Sequence, residues 1–250
     1  MLVMGILNVT PDSFADGGRH NDFEAAVARG LEMIAEGVDI IDIGGESTRP
    51  GAERVTEEEE ISRTVPVIKE LAKYGTTISI DTMRASTAEA AVQAGASMIN
   101  DVSAGLADGV MLQTAARLKV SYIAMHWRGH SKDMNYKAVY GDVVSEVISE
   151  LNERIEAALD AGIQKDKLII DPGIGFAKDA EHNWAIIDSI DRFVSMGYPV
   201  LVGASRKRFL GGESPDEREQ ATIELTKRLG ATGIWAVRVH SVKPHKEVLS

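Results

Sequence analysis

Many of the polar and charged residues that could take part in chemistry follow directly on short apolar segments of the chain. Together they supply both charge signs and many hydrogen-bond donors and acceptors, which suits the binding of a polar heterocycle together with an anion. These residues are Asn8, Asp42, Glu46, Asp81, Asn100, Asp101, His126, Asp171, Ser205, Lys207, Arg238 and His240.

The last of the apolar segments carries a basic pair. Arg238 and His240 are two residues apart, so on a strand their side chains point to the same face. Such a pair could bind phosphate, which β/α barrels often hold near their final strands. The alternative is a pair of solvated rim residues, and we favour the anion site because charges at a barrel mouth are seldom idle.

Another basic segment, residues 203–208 (GASRKR), is expected to lead directly into a helix. The free N–H groups and the positive dipole end of that helix could receive a carboxylate or a phosphate. Two long loops that contain glycine, residues 8–20 and 44–51, each carry a cation, Arg19 or Arg49. Mobile lids over a reactive intermediate have this composition, and so do ordinary surface loops.

The acidic residues leave alternatives open. Asp81 ends an apolar segment on the same strand face as Ser79, and we give a helix N-cap and a ligand contact equal weight. Asp171 precedes Pro172, which keeps Asp171 extended, and the glycines that follow allow the backbone to approach a ligand. A plain turn would explain these glycines but not an acid at this position, which favours a binding role.

Sequence spacing constrains two further pairs. Asn100 and Asp101 are adjacent, so at most one of them points into a barrel if the strand continues through both. His126 and His130 are four residues apart, as in a helical zinc site, but Gly129 indicates a loop and no third ligand is evident. We therefore do not predict zinc.

Eight short segments rich in β-branched residues must position these side chains. They recur at intervals of about 30 residues, the length of a repeating β-α unit. Eight such units predict a closed parallel (β/α)8 TIM barrel, whose active site forms at the carboxyl ends of the strands. The main alternative is an open doubly wound sheet, but the GxGxxG motif that often marks one is absent after the first segment. No linker or change of composition interrupts the chain, so we predict one domain over residues 1–250.

Helical periodicity fills the intervals between these segments. One helix is predicted over Glu57–Lys73, where Thr56 and Glu59 would form a capping box. The final helix has at most residues 242–250 with Pro244 inside it, so we expect a shortened last helix.

The composition limits the partners and the compartment. The 27 Lys and Arg residues stand against 38 Asp and Glu, a formal net charge of −11, which argues against nucleic acid or an anionic membrane as a partner. With 44% hydrophobic but only 5% aromatic residues, the core must be mainly aliphatic. There is no cysteine, which fits a cytoplasmic location. The first residues do not form a signal-peptide pattern, and no apolar run approaches the roughly 20 residues of a spanning helix.

Eight motifs follow one another along the chain, namely MGILNVTPDSFADGG, DIGGESTRPGA, SIDTMR, INDVS, MHWRG, DPGIGFAK, VGASRKRFLG and RVH. In this order they resemble the dihydropteroate synthase family, and the resemblance covers essentially the whole chain. The joint occurrence of STRPG, DPGxGF and SRK is highly specific. The resemblance implies a pterin-binding barrel that condenses 6-hydroxymethyl-7,8-dihydropterin pyrophosphate with p-aminobenzoate in folate biosynthesis.

The resemblance also implies roles for individual residues. The pterin ring would be held by Asp81, Asn100, Asp171 and Lys207. The pyrophosphate would be held by Asn8, Arg49, Arg238 and His240. The p-aminobenzoate site would be formed by Phe14, Thr48, Pro50, Phe176 and Arg208. The residues expected to act in catalysis are Arg49, Lys207, Arg238 and His240.

The cofactor implied by the resemblance is Mg²⁺, bound with the pyrophosphate and assisted by Asn8. The chemistry would be displacement at the pterin methylene, with the departing pyrophosphate neutralised by cations and water excluded by the loops. No residue needs to act as a nucleophile. Members of the family commonly dimerise through their last helices, which implies a homodimer.

The sequence departs from the family pattern at two positions. Ser241 follows the RVH motif where the family usually has an acid, and Arg208 follows Lys207 where a serine is frequent. Arg208 is compatible with the pattern because it could bind the carboxylate of p-aminobenzoate directly. Two other functions remain as alternatives. One is a catalytically silent pterin-binding paralogue, and the other is a methyltetrahydrofolate-binding transferase domain, whose chemistry releases no pyrophosphate.

Overall fold

A computed structural model of the chain describes residues 1–10, 18–46, 55–130 and 134–250. Within these ranges, the side chains of residues 18–21 and 134–135 are not described. Four residues that the resemblance assigns to the site lie outside the described residues, namely Phe14, Thr48, Arg49 and Pro50. The side chain of Arg19 lies outside them too.

The described residues form eight parallel strands in one sheet that is nearly closed into a barrel. The strand order is β6-β5-β4-β3-β2-β1-β8-β7, and a single bridge between Ile170 and Val200 joins the two ends of this order. This architecture confirms the predicted (β/α)8 barrel and excludes the open sheet. The strands are β1 (Leu2–Asn8), β2 (Ile40–Gly44), β3 (Thr77–Asp81), β4 (Met98–Asp101), β5 (Ser121–Met125), β6 (Leu168–Asp171), β7 (Leu201–Val202) and β8 (Ala236–Val239).

Nine α-helices cover the outside of the barrel in the part of the chain that the structure describes. All but the last of them lie between successive parallel strands, as a β/α barrel requires. The helices are α1 (Gly18–Ala35), α2 (Glu57–Leu71), α3 (Ala85–Ala94), α4 (Met111–Leu118), α5 (Val143–Asp160), α6 (Ala180–Asp188), α7 (Ile190–Val194), α8 (Glu217–Leu229) and α9 (Lys243–Leu249).

Two aliphatic cores hold these layers together. The larger core lies between the strands and the helices and contains residues such as Ile41, Ile80 and Leu151. A smaller core fills the barrel interior, where one residue from each of seven strands meets the others. Both follow from the alternation of strand side chains, which sends every second residue to the helices and the rest inward. The interior core is formed by Met4, Ile40, Met98, Ile123, Ile169, Leu201 and Ala236.

The helix predicted over Glu57–Lys73 is confirmed as α2, which ends at Leu71. Thr56 is its N-cap, and the Thr56 hydroxyl accepts a hydrogen bond from the Glu59 N–H at 3.2 Å. The Glu59 carboxylate pairs with Arg63 in the next turn rather than with the cap. The predicted capping box is therefore formed only in its first half.

Residues 203–208 do not lead directly into a helix, so that prediction is wrong. Residues 208–210 form one 3₁₀ turn, and α8 begins only at Glu217. The interruption has a local cause, because Gly211 and Gly212 both adopt positive φ angles, 85° and 77°, which end a right-handed turn. The N–H groups at the start of α8 therefore do not belong to this basic segment.

The last helix is short, as predicted. It spans Lys243–Leu249 and packs against α8. Pro244 lies in its first turn, where a missing N–H leaves no intrahelical bond unmade. In the described ranges, none of the helices has the length and apolar character needed to cross a membrane.

Candidate active site

The barrel interior changes from apolar to polar within two residues along four of its strands. Because alternate residues share a face, the residue two positions beyond each interior core residue also points inward. These inward residues lie at the carboxyl ends of the strands, where β/α barrels form their active sites. The four steps run from Ile40 to Asp42, from Met98 to Asn100, from Ile169 to Asp171 and from Ala236 to Arg238.

Arg238 on β8 joins carboxylates of β2 and β3, and an amide of β4 is linked to it through one of them. Its Nε donates to Asp42 Oδ2 and its Nη2 donates to Asp81 Oδ2, each at 2.6 Å. Asn100 Nδ2 donates to the same oxygen of Asp42 at 2.9 Å. Asp42 is fully buried and Asp81 nearly so, and one guanidinium compensates both carboxylates. From the sequence, Asp42 is one of the polar residues at the strand ends without a predicted role, since only the fold brings it to Arg238.

Asp81 contacts Arg238 and does not cap a helix. The N-cap of α3 is Arg84, and the Ala85 N–H donates to Asp108 Oδ2 at 2.8 Å. Burial raises the pKa of the Asp81 carboxyl, while the nearby charge of Arg238 lowers it. The structure thus excludes Asp81 as a helix N-cap, and its carboxylate faces the barrel interior, where a ligand could contact it.

Asn100 and Asp101 point in opposite directions, as their adjacency predicts. Asn100 faces the barrel interior and contacts Asp42. Asp101 is buried on the other face, where it accepts hydrogen bonds from the Gly105 N–H and the Tyr122 hydroxyl, both at 2.7 Å. Only Asn100 is available to a ligand in the barrel, and Asp101 orders the loop that follows β4.

Asn8 at the end of β1 and Asp81 at the end of β3 flank Gly44 of β2. The position that a Cβ would take at Gly44 is 3.7 Å from Asp81 Oδ2 and 3.8 Å from Asn8 Oδ1. Both side-chain oxygens therefore lie over Gly44, and because this residue is glycine, no side chain stands between them.

The turn after β6 is fixed by Asp171. Its Oδ1 accepts from the Gly173 N–H at 2.7 Å, and its Oδ2 is 3.8 Å from the position of a Cβ at Gly203. Burial raises the pKa of Asp171, opposed by the Gly173 hydrogen bond and by the charge of Lys207. Gly173 has a φ of 70°, and a Cβ there would be 2.3 Å from the carbonyl oxygen of His126, so only glycine fits.

Lys207 reaches across to the same turn. Its Nζ donates to the Ile174 carbonyl oxygen and lies 4.7 Å from the centre of the Phe176 ring. Burial lowers the pKa of Lys207 to about 8, an effect that Asp171 opposes. The structure thus brings Asp171, Lys207 and Phe176 together at one side of the barrel mouth.

Lys178 holds this turn from behind. It is buried, and its Nζ donates to the carbonyl oxygens of Gly173 and Phe176, both at 3.0 Å. The same Nζ is 2.8 Å from His126 Nδ1, and His126 Nε2 is 2.9 Å from a carboxylate oxygen of Glu150 on α5. These three contacts of Nζ match the three N–H donors of an ammonium group, so His126 accepts at Nδ1. The neutral ring then donates from Nε2 to Glu150.

This role of Lys178 was not predicted from the sequence. The residue lies within the DPGIGFAK motif, but its side-chain partner His126 is 52 residues away and its other two partners are backbone carbonyls. A lysine directly after a glycine-rich turn was the only available signal. His126 was predicted to be one of the polar residues at the strand ends, but neither Lys178 nor Glu150 was predicted as its partner.

The neutral state of His126 predicts a pH dependence of stability. Burial lowers its pKa to about 4, and the charge of Lys178 acts in the same direction. The unfolded chain takes up the proton near pH 6.5, whereas the folded chain resists it until about pH 4. Between these values the unfolded state binds more protons at this residue, so His126 should remove up to about 3 kcal/mol from the free energy of unfolding as the pH falls. The raised pKa of Asp81, about 7, acts in the opposite direction over the same range, so the contribution of His126 has to be measured against a variant.

Chemical denaturation of the wild type and of His126→Gln between pH 7 and pH 4 would measure this contribution. His126→Gln keeps a donor towards Glu150 but cannot be protonated, so its stability relative to that of the wild type should rise as the pH falls, by up to about 3 kcal/mol. The exposed His130 offers a matched control, because His130→Gln should keep the wild-type pH dependence. An unaltered pH slope in His126→Gln would contradict the assignment.

The remaining predicted residues at the barrel mouth lie around β7 and β8. Ser205 Oγ is 2.9 Å from the ring nitrogen Nδ1 of His240 and accepts from the backbone N–H of His240 at 3.2 Å. Arg208 is exposed and lies in the 3₁₀ turn after Lys207. Its guanidinium makes no hydrogen bond or ion pair with the described residues.

No group of three or more His, Cys, Asp or Glu side chains in the described ranges could hold a metal ion. A metal bound by protein ligands alone would need such a group. The Asn8 amide oxygen, which lies over Gly44, is a hard ligand of the kind that Mg²⁺ accepts when a phosphate supplies most of the others. The residues present therefore fit a magnesium ion that arrives with a phosphorylated ligand.

Fold and site together define a β/α barrel with both carboxylates and cations at its mouth, suited to a polar heterocycle and an anion. A sequence profile described as "Pterin binding enzyme" matches residues 4–240. A protein of Mycobacterium leprae named "Dihydropteroate synthase" is 48% identical to this chain, over 99% of this chain and 90% of the relative. The chain belongs to the dihydropteroate synthase family, whose members are transferases of folate biosynthesis.

Solved structures agree with this membership. A dihydropteroate synthase of Xanthomonas albilineans with 4-aminobenzoic acid matches with a TM-score of 0.93 and 45% identity, over 99% of this chain and 90% of that one. A structure of the same enzyme with 7,8-dihydropteroate matches with a TM-score of 0.89 and 42% identity over the same shares. These relatives favour a dihydropteroate synthase over a methyltetrahydrofolate-binding domain.

Proposed function

We propose that the barrel mouth joins 6-hydroxymethyl-7,8-dihydropterin pyrophosphate to p-aminobenzoate, forming 7,8-dihydropteroate and releasing pyrophosphate. The observation that carries the proposal is the linked set of Asp42, Asp81, Asn100 and Arg238, with Asp171 and Lys207 beside it. This set offers acceptors for the donor groups of a pterin ring and cations for the pyrophosphate. The binding of 4-aminobenzoic acid and of 7,8-dihydropteroate by the Xanthomonas relative supports the same substrates here.

The pterin ring would lie over the buried polar layer. Asp81 and Asp171 would accept from ring N–H and amino groups, and Asn100 would supply both a donor and an acceptor. Lys207 would donate to a ring nitrogen or carbonyl. Because Asp81, Asn100 and Asp171 are buried, each bond that they form to the ring is protected from water and therefore strong.

The pyrophosphate would lie towards β8 and β1, between Arg238, His240 and Asn8, with Arg49 as a fourth ligand. In the structure Arg238 is held by Asp42 and Asp81, so the pyrophosphate has to share it with these carboxylates. When the pterin ring donates to Asp81, the Nη2 group of Arg238 becomes available to the anion. Binding of the ring would thereby favour binding of the pyrophosphate.

Magnesium enters the proposal as the ion that accompanies the pyrophosphate and that Asn8 helps to hold. When bound, it supplies positive charge that stabilises the leaving group. The protein residues would orient the phosphate chain, and Arg238 would add charge-assisted hydrogen bonds to its oxygens.

The p-aminobenzoate would lie against Phe176, with its carboxylate at Arg208. The carbonyl oxygen of Phe176 accepts from Lys178, and the Phe176 ring lies against the Nζ of Lys207. Arg208 is exposed, and its guanidinium has no hydrogen-bond or ion-pair partner among the described residues. Three further residues, Phe14, Thr48 and Pro50, would complete this site from the two loops that lie outside the described residues.

The reaction would be a displacement at the methylene carbon of the pterin. The bond between this carbon and the pyrophosphate oxygen breaks, and its electron pair leaves with the pyrophosphate, whose charge Arg238 and His240 neutralise. The amino nitrogen of p-aminobenzoate forms the new bond to carbon and then loses a proton. The loops that contain Phe14 and Arg49 would exclude water, which otherwise competes with the amine.

A coupled assay of pyrophosphate release tests the proposal. Release should require p-aminobenzoate and should equal the dihydropteroate formed, and the control is the same reaction without p-aminobenzoate. Methyl transfer from methyltetrahydrofolate would indicate the transferase domain instead. Binding of the pterin without any release would indicate the catalytically silent paralogue.

The remaining proposals concern the surroundings of the enzyme. The absence of cysteine and the net charge of −11 fit a cytoplasmic enzyme that binds neither nucleic acid nor membranes. We also propose a homodimer that forms through α8 and α9, which pack against each other at the end of the chain.

A further inference from the structure

In the segment Ser205-Arg206-Lys207, a strained residue separates Lys207 of the proposed site from Ser205, which contacts His240 of that site. Ser205 contacts His240, and Lys207 reaches the turn after β6. Arg206 between them has a φ of 57°, in the left-handed region that residues other than glycine seldom adopt. Such a conformation persists only when its surroundings hold it in place.

Three contacts hold Arg206 in this conformation. Its backbone N–H donates to Thr222 Oγ1 at 3.1 Å, and its Nε donates to Glu219 Oε2 at 2.5 Å. Its Nη2 donates to Ser241 Oγ at 2.8 Å. Thr222 and Glu219 lie on α8, and Ser241 lies directly after His240. The guanidinium therefore ties the turn after β7 to α8 and to the end of β8.

Glu219 provides the only carboxylate among these three contacts, and it is ionised. Burial alone would raise the pKa of Glu219, but the polar groups of His245, Arg206 and Ser241 outweigh it and lower the pKa to about 2. Its side chain is only 17% exposed, so solvent screens the ion pair with Arg206 weakly. His245 on α9 is fully buried, and its Nε2 is 3.5 Å from Glu219 Oε1.

We infer that Glu219 is a positioning residue. Through Arg206 it fixes the Ser205-Arg206-Lys207 turn, so that Ser205 orients His240 and Lys207 faces the turn after β6. Glu219 has this role because position 241, the other end of the Arg206 fork, carries an uncharged serine. The inference rests on the proposed function, in which His240 binds pyrophosphate and Lys207 binds the pterin ring.

The first test is Glu219→Gln, which keeps the size of the side chain and removes its charge. The affinity for inorganic pyrophosphate, measured by calorimetry, should fall about tenfold, as expected for a lost charge-assisted hydrogen bond. The KM for the pterin pyrophosphate should rise by a similar factor, and the KM for p-aminobenzoate should stay unchanged. Glu224→Gln is the matched control, since Glu224 is exposed on the same helix and should behave as the wild type.

The second test is rescue. Ser241 Oγ is already 2.8 Å from Arg206 Nη2, so Ser241→Asp would offer the guanidinium a carboxylate from its other side. In the Glu219→Gln background, Ser241→Asp should restore pyrophosphate affinity to within about threefold of the wild type. If Glu219→Gln does not fold, Glu219→Asp, which keeps the charge but shortens the reach, should give a smaller loss. Wild-type affinity in Glu219→Gln, or no rescue by Ser241→Asp, would overturn the inference.

A spectroscopic readout separates this inference from the proposed reaction. The ring-nitrogen NMR signals of His240 report its hydrogen bond to Ser205 and do not require turnover. They should shift in Glu219→Gln, return with Ser241→Asp and remain unchanged in Glu224→Gln. An inactive wild type with this pattern would refute the reaction and retain the positioning role. If the wild type is active but the His240 signals are the same in Glu219→Gln as in the wild type, the positioning role alone would be refuted.

Discussion

Replacing Arg238 with methionine is expected to lower the free energy of unfolding by about 3–5 kcal/mol and to abolish pyrophosphate release. The reason is that Arg238 compensates Asp42 and Asp81, which are both buried. Without the guanidinium, two carboxylates would face each other in the barrel interior, and at least one would have to take up a proton. Chemical denaturation at pH 7 measures the stability, and the coupled assay measures the release.

A second substitution separates stability from function at this residue. Asp42→Asn in the Arg238→Met background removes one of the two uncompensated charges, so part of the lost stability should return while activity stays absent. The control is Arg228→Met, because Arg228 pairs with Asp188 on the surface, where both side chains are at least half exposed. That variant should lose less than about 1 kcal/mol. An equal loss in both arginine variants would show that Arg238 compensates no buried charge.

Asp171→Asn should weaken pterin binding by about 2–4 kcal/mol, because one charged acceptor becomes a neutral group that is half donor. The amide oxygen can still accept from the Gly173 N–H, so the turn after β6 should keep its shape. The loss would then come from the oxygen that faces the ligand. Calorimetry with a pterin that lacks phosphates measures it directly.

The control for this substitution lies just before the amino end of the same strand. Asp166 is exposed in the 3₁₀ turn before β6, and Asp166→Asn should leave pterin affinity unchanged. Unchanged affinity in Asp171→Asn as well would remove Asp171 from the pterin pocket.

The barrel and the location of the site could be predicted because both follow from local patterns. Eight apolar segments at regular intervals indicate the strands, and polar residues at their ends indicate the carboxyl face. Adjacency alone predicted that Asn100 and Asp101 point to opposite faces. The equal alternatives for Asp81 could not be resolved in this way, since the carboxylate that accepts from the first N–H of α3 is that of Asp108, which comes from a separate loop.

The partners of the site residues could not be predicted, because they depend on contacts between distant parts of the chain. Arg238 meets Asp42 across 196 residues, and Lys178 meets His126 across 52. No periodicity carries this information. The helix expected after residue 208 failed for the opposite reason, since two glycines interrupt it locally and their effect was not anticipated.

A crystal structure of the enzyme with p-aminobenzoate and an unreactive analogue of the pterin pyrophosphate tests the barrel-mouth site most directly. We expect the pterin ring within hydrogen-bond distance of Asp81, Asn100 and Asp171, with the phosphate chain at Arg238 and His240. A pterin ring bound outside the barrel mouth, or a phosphate chain with no contact to Arg238, would contradict the proposed site.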